Sequence, residues 1–484
     1  MRIVHLPHLS TTLPTAVLLT TEDLAATKTA IAGLTQGHLE VTEAMATADE
    51  FTAYHTPQRM LWFYGLGTAQ GLHPEKLRIA LTKAVAKANE HKQTELQVVC
   101  LGLAQHPEAE TLLHALGETP GLAAYQFLPY KTKDREKLTH KLSQVGVFTD
   151  GPQATPRLAF GARVAEATNH ARDLVNEPPN VLTQTELAAR AEALGQQYGF
   201  SVTRYGKDWI AQQQMGGLLA VNRGSTEPPT FTVLEHKPAS ATNAQPVVLV
   251  GKGIVFDTGG LDLKPSASMD TMKCDMAGAA AVIGTFCALA ANQVPLHVVG
   301  LVPSTDNRPG VNAYTPNDVI TFADGTTVEI RNTDAEGRLI LADALLYAKR
   351  YNPALVIDLA TLTGSAVIAI GSIGMPLYAK DAEAAAEALL RIGQQVYERS
   401  VRFPLWDDYA EQLKSDIADM KNIGGREAGS ITAAKFLEHF TAYPWIHLDI
   451  AGPAFLESGK YYRPKNGTGW GVRLLTEFLR TYGR

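Results

Sequence analysis

The sequence predicts an α/β protein with a small N-terminal α/β domain and a larger domain whose mixed, mainly parallel sheet is sandwiched by helices. Three observations lead there. At 484 residues the chain exceeds one ordinary hydrophobic core, so more than one domain is expected. With 45% hydrophobic and 19% charged residues it is near the globular average, which excludes a disordered or fibrous chain. From Val247 onward, short apolar runs alternate with helical stretches, the pattern of a parallel sheet with helical crossovers.

The N-terminal run Met1 to Pro7 reads as a strand. It has no long apolar core and no small-residue cleavage site, so it is not read as an export signal. Up to residue 150, β-rich runs such as Leu96 to Cys100 alternate with helical stretches such as Pro74 to Ala88, and no motif there names a reaction. We assign residues 1–150 to the N-terminal domain, with a role in assembly or regulation left open. The polar, Gly/Pro-containing stretch Thr149 to Pro156 marks a boundary. A connecting helix from Leu158 to Val175 follows and ends at Glu177-Pro178-Pro179, so 151–175 is the linker and 176–484 the second domain. In that domain we expect strands at Val247–Val250, His297–Val302 and Leu355–Leu359, and helices at Met276–Ala291 and Gly337–Tyr351. The stretch Leu359 to Ala379 carries no charge and raises a membrane question. Its Thr361, Thr363, Gly364, Ser365, Gly371, Ser372, Gly374 and Pro376 suit buried strand and loop better than a lipid-facing helix, so no membrane partner is expected.

A formal net charge of −6 gives no phosphate-tracking footprint, which makes nucleic acid an unlikely partner. The three cysteines, Cys100, Cys274 and Cys287, form no C-x-x-C pair. That argues against a disulfide framework or a cysteine zinc site and for a reducing, cytoplasmic home.

Three segments carry the chemistry. They are Val250 to Lys264, Met272 to Met276, and Asn332 to Arg338, each read as a loop with acidic residues beside apolar elements. Singly, each has an ordinary explanation: Asp257 a turn, Asp275 a helix cap, Asp334 or Glu336 the positive end of a helix. Together, four carboxylates in one low-dielectric crevice would repel one another unless protonated or neutralised by cations. Oxygen ligands without Cys or nearby His favour hard or borderline ions such as Mg²⁺, Mn²⁺ or Zn²⁺. A metal pair roughly 3.5–4 Å apart is a recurring hydrolytic device.

At these residues the chain resembles the leucine aminopeptidase, or cytosol aminopeptidase, family of two-metal peptidases. The resemblance rests on Asn332 to Leu339 together with Gly251-Lys252-Gly253, Phe256 to Gly260, Lys264-Pro265 and Asp275-Met276. Asn176 to Asn180 and His447 to Gly452 extend it over about residues 160 to 484. It implies a tight metal site from Lys252, Asp257, Asp275 and Glu336 and a more exchangeable one from Asp257, Asp334 and Glu336. Two divalent ions per subunit are implied, Zn²⁺ or Mn²⁺ first, with Co²⁺ or Mg²⁺ as alternatives. As a ligand, Lys252 would have to be a neutral amine. The implied activity is hydrolysis of the N-terminal peptide bond by a metal-bridging water, with apolar N-terminal residues such as leucine preferred. Lys264 would stabilise the developing oxyanion, and Arg338 would hold a bicarbonate that shuttles protons. Asn332, Thr361, Leu362, Thr363 and Gly364 match substrate-binding positions, and Met272, Ala451 and Ala454 the first side-chain pocket. A homohexamer acting on peptide substrates is implied as well.

The chain departs from the family's pattern at Ala277, where many relatives have Gly, at Thr258, where many have Ser, and in the loop Asp306-Asn307-Arg308. None is a proposed metal ligand. Gly251-Lys252-Gly253 is not a phosphate loop, because the pattern G-x-x-x-x-G-K-[ST] is absent. Cys274 reads as a packed side chain and Asp343 as a hydrogen-bonded buried residue. The rival reading is a nucleic-acid-binding or regulatory protein on the same scaffold.

Overall fold

The computed structural model describes residues 1–35, 39–56 and 59–483. The chain divides into two compact units. The first comprises Met1–Glu166 with Gln395–Tyr397 and Ser458–Pro464; the second comprises Ala167–Gln394, Glu398–Glu457 and Lys465–Arg484.

Six strands form the sheet of the first unit: β1 (Arg2–His5), β2 (Thr15–Thr20), β3 (Phe51–Thr56), β4 (Arg59–Gly67), β5 (Glu95–Cys100) and β6 (Gln144–Phe148). Their order is β1-β6-β5-β2-β4-β3, parallel except for the β3–β4 hairpin. Successive side chains of a strand face opposite ways. Ala16 and Leu18 of β2 therefore join the core on one side with Leu77, Leu81 and Leu112, while Val17 and Leu19 join Ile31 and Leu34 on the other. The helix Pro74–Glu90 starts on a proline already fixed in helical φ, and His73 caps it by accepting from Glu75 N at 3.2 Å.

The second unit is built on β7 (Ser201–Tyr205), β8 (Thr230–His236), β9 (Val247–Gly251), β10 (Gly253–Asp257), β11 (Val298–Asn307), β12 (Val319–Thr321), β13 (Thr327–Glu329), β14 (Leu355–Ala360), β15 (Met375–Lys380), β16 (Ser400–Arg402), β17 (Met420–Lys421) and β18 (Trp445–Asp449). The main sheet runs β16-β15-β18-β14-β9-β11-β8-β7, with β10 added to the end of β11. Its centre, β18-β14-β9-β11, is parallel and its flanks carry antiparallel pairs. This is the mixed, helix-sandwiched sheet that the sequence predicts. Val248, Val250, Val299, Leu301 and Val356 pack with Leu339, Leu341 and Leu345 of the helix Gly337–Ala348. On the opposite face lies the almost entirely buried helix Ala277–Ala291, whose Phe286 fills the space above Gly300. A small sheet, β12-β13-β17, stands apart.

Two readings of local structure need correction. Gly253–Asp257, read as loop, is a strand pairing with Ser304–Asn307 of β11, and β11 runs to Asn307 rather than Val302. The signal was lost because Ser304, Thr305, Asp306 and Asn307 are polar yet buried, their backbone paired within the sheet, while Ser304 Oγ, Asp306 Oδ1 and Asn307 Oδ1 have no hydrogen-bond partner among the described residues. The uncharged stretch from Leu359 resolves into the end of β14, a helix Gly364–Ile370 and the start of β15. The segment Ser266–Ala291, two short helical turns followed by the helix Ala277–Ala291, is long and apolar enough to cross a membrane by length and composition, but 89% of its most apolar window is buried inside the protein.

The helix Ala277–Ala291 approaches the sheet so closely that a Cβ on Gly278 would lie 2.1 Å from Leu359 O and 2.9 Å from Lys252 N. Both are backbone atoms and cannot swing aside. We expect Gly278→Ala to cost about 1–3 kcal/mol in chemical unfolding, as overpacking does. Gly33→Ala, at an exposed position inside the helix Leu24–Thr35 with open space around it, should be neutral or stabilising by up to about 1 kcal/mol. Equal stability of the two variants would contradict the close approach.

Candidate metal centre and substrate site

The acidic and basic side chains gather at the carboxyl ends of the parallel strands, where open α/β sheets place their ligands. Lys252 follows β9, Asp257 ends β10, Thr361 follows β14 and Asp449 ends β18. Asp275 ends a short 3₁₀ turn that begins at Met272, and Asp334 sits in the turn before the helix Gly337–Ala348, with Glu336 at that helix's N-cap. Gly337 leaves room for Lys252, since a Cβ there would lie 2.4 Å from Lys252 Cε.

Asp257, Asp275 and Glu336 are 2%, 4% and 1% exposed, and Asp334 is half-buried. One carboxylate oxygen from each of Asp257, Asp334 and Glu336 lies within 4.8 Å of the others, which is metal-site spacing. Lys252 Nζ donates to Asp275 Oδ1 at 2.8 Å and to Thr361 O at 2.8 Å, and lies 3.0 Å from Glu336 Oε1. Lys264 Nζ is 2.9 Å from Asp257 Oδ2 and 2.6 Å from Asp334 Oδ1. Four carboxylates thus face two ammonium groups, an excess of negative charge in a dry pocket.

The electrostatics record that excess. Burial raises the Asp275 carboxyl well above the usual range; Lys252 opposes this, while Glu336 and Asp257 add to it. Asp334 is raised to about 7 by burial, then by Asp257 and Glu336. Glu336 is raised by burial and Asp257. For Lys252 burial disfavours the cation, but Asp275, Glu336 and Asp257 outweigh it and hold the pKa up; for Lys264 burial is likewise overcome by Asp257 and Glu336. Asp275 Oδ2 and Glu336 Oε2 are buried and have no hydrogen-bond partner among the described residues. Buried carboxylate oxygens left without donors are what a bound cation satisfies, so the residues present fit divalent metals.

The ordinary readings fare unevenly. Asp257 does brace a turn, accepting from Gly259 N at 2.8 Å. Asp275 caps no helix: the N-cap is Met276, and Asp275 Oδ1 instead accepts from Lys252 and from Thr361 Oγ1 at 2.7 Å. Cys274 is buried and its thiol is pushed up to about 12 by burial and Asp275, as for a packed side chain. Asp343 is buried, with Oδ2 accepting from Leu218 N at 2.7 Å.

The other predicted residues surround this centre. Arg338 is 5% exposed and donates from Nη1 to Asn422 O at 2.8 Å, and no ion pair to it exists among the described residues. Burial lowers its pKa to about 10, against the pull of Glu336 and Asp449. Asn332 Oδ1 accepts from Asp334 N at 2.7 Å. Asp449 Oδ1 accepts from Leu362 N and Ala451 N, each at 3.2 Å, and its Oδ2 from Thr363 Oγ1 at 2.7 Å. One buried carboxylate therefore ties Thr361–Gly364 to Ala451. Gly364 is exposed, Met272 and Ala451 are half-buried, and Ala454 is 2% exposed beside Thr468, whose Oγ1 donates to Ala454 O at 3.1 Å.

Sequence reasoning missed the supporting roles of four residues, Asn307, Asp262, Thr333 and Asn422. Asn307 Nδ2 donates to Asp257 Oδ1 at 2.9 Å and Thr333 O at 3.0 Å. Asp262 and Thr333 clasp each other, with Asp262 N to Thr333 Oγ1 at 2.8 Å and Thr333 N to Asp262 Oδ2 at 2.7 Å. Asn422 braces Asn332, with Nδ2 donating to Asn332 O at 2.7 Å. Amide and hydroxyl side chains far away in sequence carry no charge pattern that a single sequence reveals.

Comparison with known proteins agrees with this geometry. The catalytic-domain profile of the cytosol aminopeptidase family matches residues 169–476. A probable cytosol aminopeptidase of Geobacter sulfurreducens is 43% identical over 458 residues, covering 93% of this chain and 91% of the relative. Another, of Roseiflexus castenholzii, is 42% identical and covers 88% of each. Among solved structures, the bottromycin maturation enzyme BotP in complex with Mn superposes with a TM-score of 0.85 at 34% identity, over 98% of this chain and all of that one. A tomato leucine aminopeptidase mutant superposes at 0.86 with 27% identity, over 99% and 96%. These likenesses favour peptide hydrolysis over the nucleic-acid-binding or regulatory reading. The chain belongs to the cytosol aminopeptidase family and is a metal-dependent aminopeptidase.

Proposed function

We propose that Lys252, Asp257, Asp275 and Glu336 hold one divalent ion tightly, and that Asp257, Asp334 and Glu336 hold a second, more exchangeable one. The observation that carries this is the convergence of four carboxylates with two oxygens lacking partners among the described residues. Zn²⁺ or Mn²⁺ suits the set best, with Co²⁺ or Mg²⁺ as alternatives. When bound, such ions activate a water near neutral pH and polarise the peptide carbonyl.

The protein's own groups do the rest. Lys264, on the rim of the pocket, points its ammonium group between Asp257 and Asp334 and serves the oxygen that becomes negative as the carbonyl is attacked. Arg338, buried without a carboxylate partner among the described residues, suits a small anion such as bicarbonate, which would move protons there. Asn332 and the segment Thr361–Gly364 align the peptide backbone, and Met272, Ala451 and Ala454 line an apolar first pocket that favours leucine-like side chains. The residue division 1–150, 151–175 and 176–484 assigns this chemistry to the last part. A homohexamer in the cytoplasm completes the reading; the compartment is supported by the relatives' name, cytosol aminopeptidase, and the hexamer rests on the family resemblance.

Chelation should abolish leucine-p-nitroanilide hydrolysis and Mn²⁺, Co²⁺ or Zn²⁺ should restore it; full activity in a demonstrably metal-free preparation defeats the metal assignment. A peptide blocked by N-acetylation should lose most turnover, because the free α-amine is then unable to bind beside the reacting carbonyl. Comparable rates on blocked and free peptides would indicate an endopeptidase. The lysines should fail differently. Lys252→Ala should change metal content. Lys264→Ala should keep both ions and lose roughly 10²–10³-fold in kcat, as when one oxyanion donor is deleted. Metal analysis beside steady-state kinetics separates the two, and the reverse pattern exchanges their roles.

A further inference from the structure

Resting on the metal assignment above and deepening it, we infer that Asn422 is a positioning residue for Asp334, acting through Asn332. Asn422 follows β17 and is fully buried. Its side-chain carbonyl accepts from Arg331 N at 2.8 Å and Asn332 N at 3.4 Å, while its amide NH₂ donates to Asn332 O at 2.7 Å. Two backbone donors and one backbone acceptor admit a single orientation of the amide. The side chain therefore grips the backbone of Asn332 from both sides, much as a neighbouring strand would. Asn332 passes the constraint on, because its Oδ1 accepts from Asp334 N at 2.7 Å.

The four carboxylates do not depend on such bracing equally. Asp257 ends a paired strand and Glu336 starts a helix, so regular structure fixes both. Asp275 is held by Lys252 and Thr361. Asp334 sits in an irregular turn and is half-buried, and the hydrogen bond of its own N–H goes to Asn332. Sites on loops are the least precise and rely most on outer supports. Asn422 also lends its main-chain carbonyl to Arg338 Nη1 at 2.8 Å, so one residue braces both sides of the turn.

The test is direct Mn²⁺ binding by equilibrium dialysis, with thermal unfolding alongside, on the full chain and on N422A, N422D, D334A, N332A and N332A/N422A. N422A should weaken the weaker of two Mn²⁺ sites by about 10–100-fold, the usual cost of losing an outer support, and leave the tighter site unchanged. In the N332A background the same substitution should add less than about twofold, because the two residues act in series. N422D keeps the volume and the accepting oxygen but loses the donor to Asn332 O; it should shift the same site in the same direction and carries the test where N422A does not fold. A merely structural role predicts equal weakening of both sites or full additivity with N332A, and either result overturns the inference. So does unchanged Mn²⁺ binding by N422A and N422D when D334A loses a site. If D334A binds both ions as the native chain does, the metal role of Asp334 fails, and the inference fails with it.

Discussion

The mutual repulsion of four carboxylates in a buried pocket governs how the rest of the second unit is arranged. Asp257, Asp275 and Glu336 are shielded from water and Asp334 is half-buried beside them, and burial together with their mutual repulsion pushes the carboxyls of Asp275, Asp334 and Glu336 toward the protonated form. The fold tolerates this because Lys252 and Lys264 reach the cluster from opposite ends of the set, one to Asp275 and Glu336, the other to Asp257 and Asp334. Two ammonium groups offset only part of four negative charges. The remaining charge is a preorganised demand for cations, and breaking such a buried set by deleting one member is costlier than its net contribution to folding.

That demand explains why the sheet ends in paired strands rather than in simple loops. Holding like charges close together requires backbone that does not relax, and β10 on β11 supplies it for Asp257 through the pairing Asp257↔Asn307. Asn307 serves twice, since its side chain also donates to Asp257 and to Thr333 O in the facing turn. The close approach of Gly278 to Leu359 O and of Gly337 to Lys252 serves the same end, bringing a helix start within reach of a side chain that must stay fully buried.

Much of this was legible in the sequence because charge is a strong signal. Asp257, Asp275, Asp334, Glu336, Lys252 and Lys264 stand out as ionisable residues among apolar elements, and the alternation from Val247 onward announced the parallel centre of the sheet. What stayed hidden is physical in kind. The end of β11 is polar and buried, so hydrophobic periodicity stops three or more residues before the strand does. Asn307, Asp262 and Asn422 act through side-chain hydrogen bonds to backbone atoms 26 to 91 residues away, and only the fold brings those partners together.

The side of the site proposed to bind substrate depends on strand register in the same way. Asp358, fully buried in β14, accepts from Trp445 Nε1 at 2.7 Å and pairs with His447 Nδ1 at 2.5 Å, both in neighbouring β18. Burial disfavours a charged imidazole, but Asp358 beside it raises the His447 pKa, and the imidazole is stacked between Tyr378 and Trp445. Side-chain period in a strand is two, so a slip of one residue would turn Asp358 to the other face and leave a buried polar group without its Trp445 and His447 partners. The register that keeps Asp358 opposite His447 also sets Ala360 opposite Asp449. It thereby delivers Leu362 and Thr363 to the Asp449 carboxylate, so a hydrogen-bonded pair deep in the sheet fixes the geometry of Thr361–Gly364, the segment proposed to bind the peptide backbone.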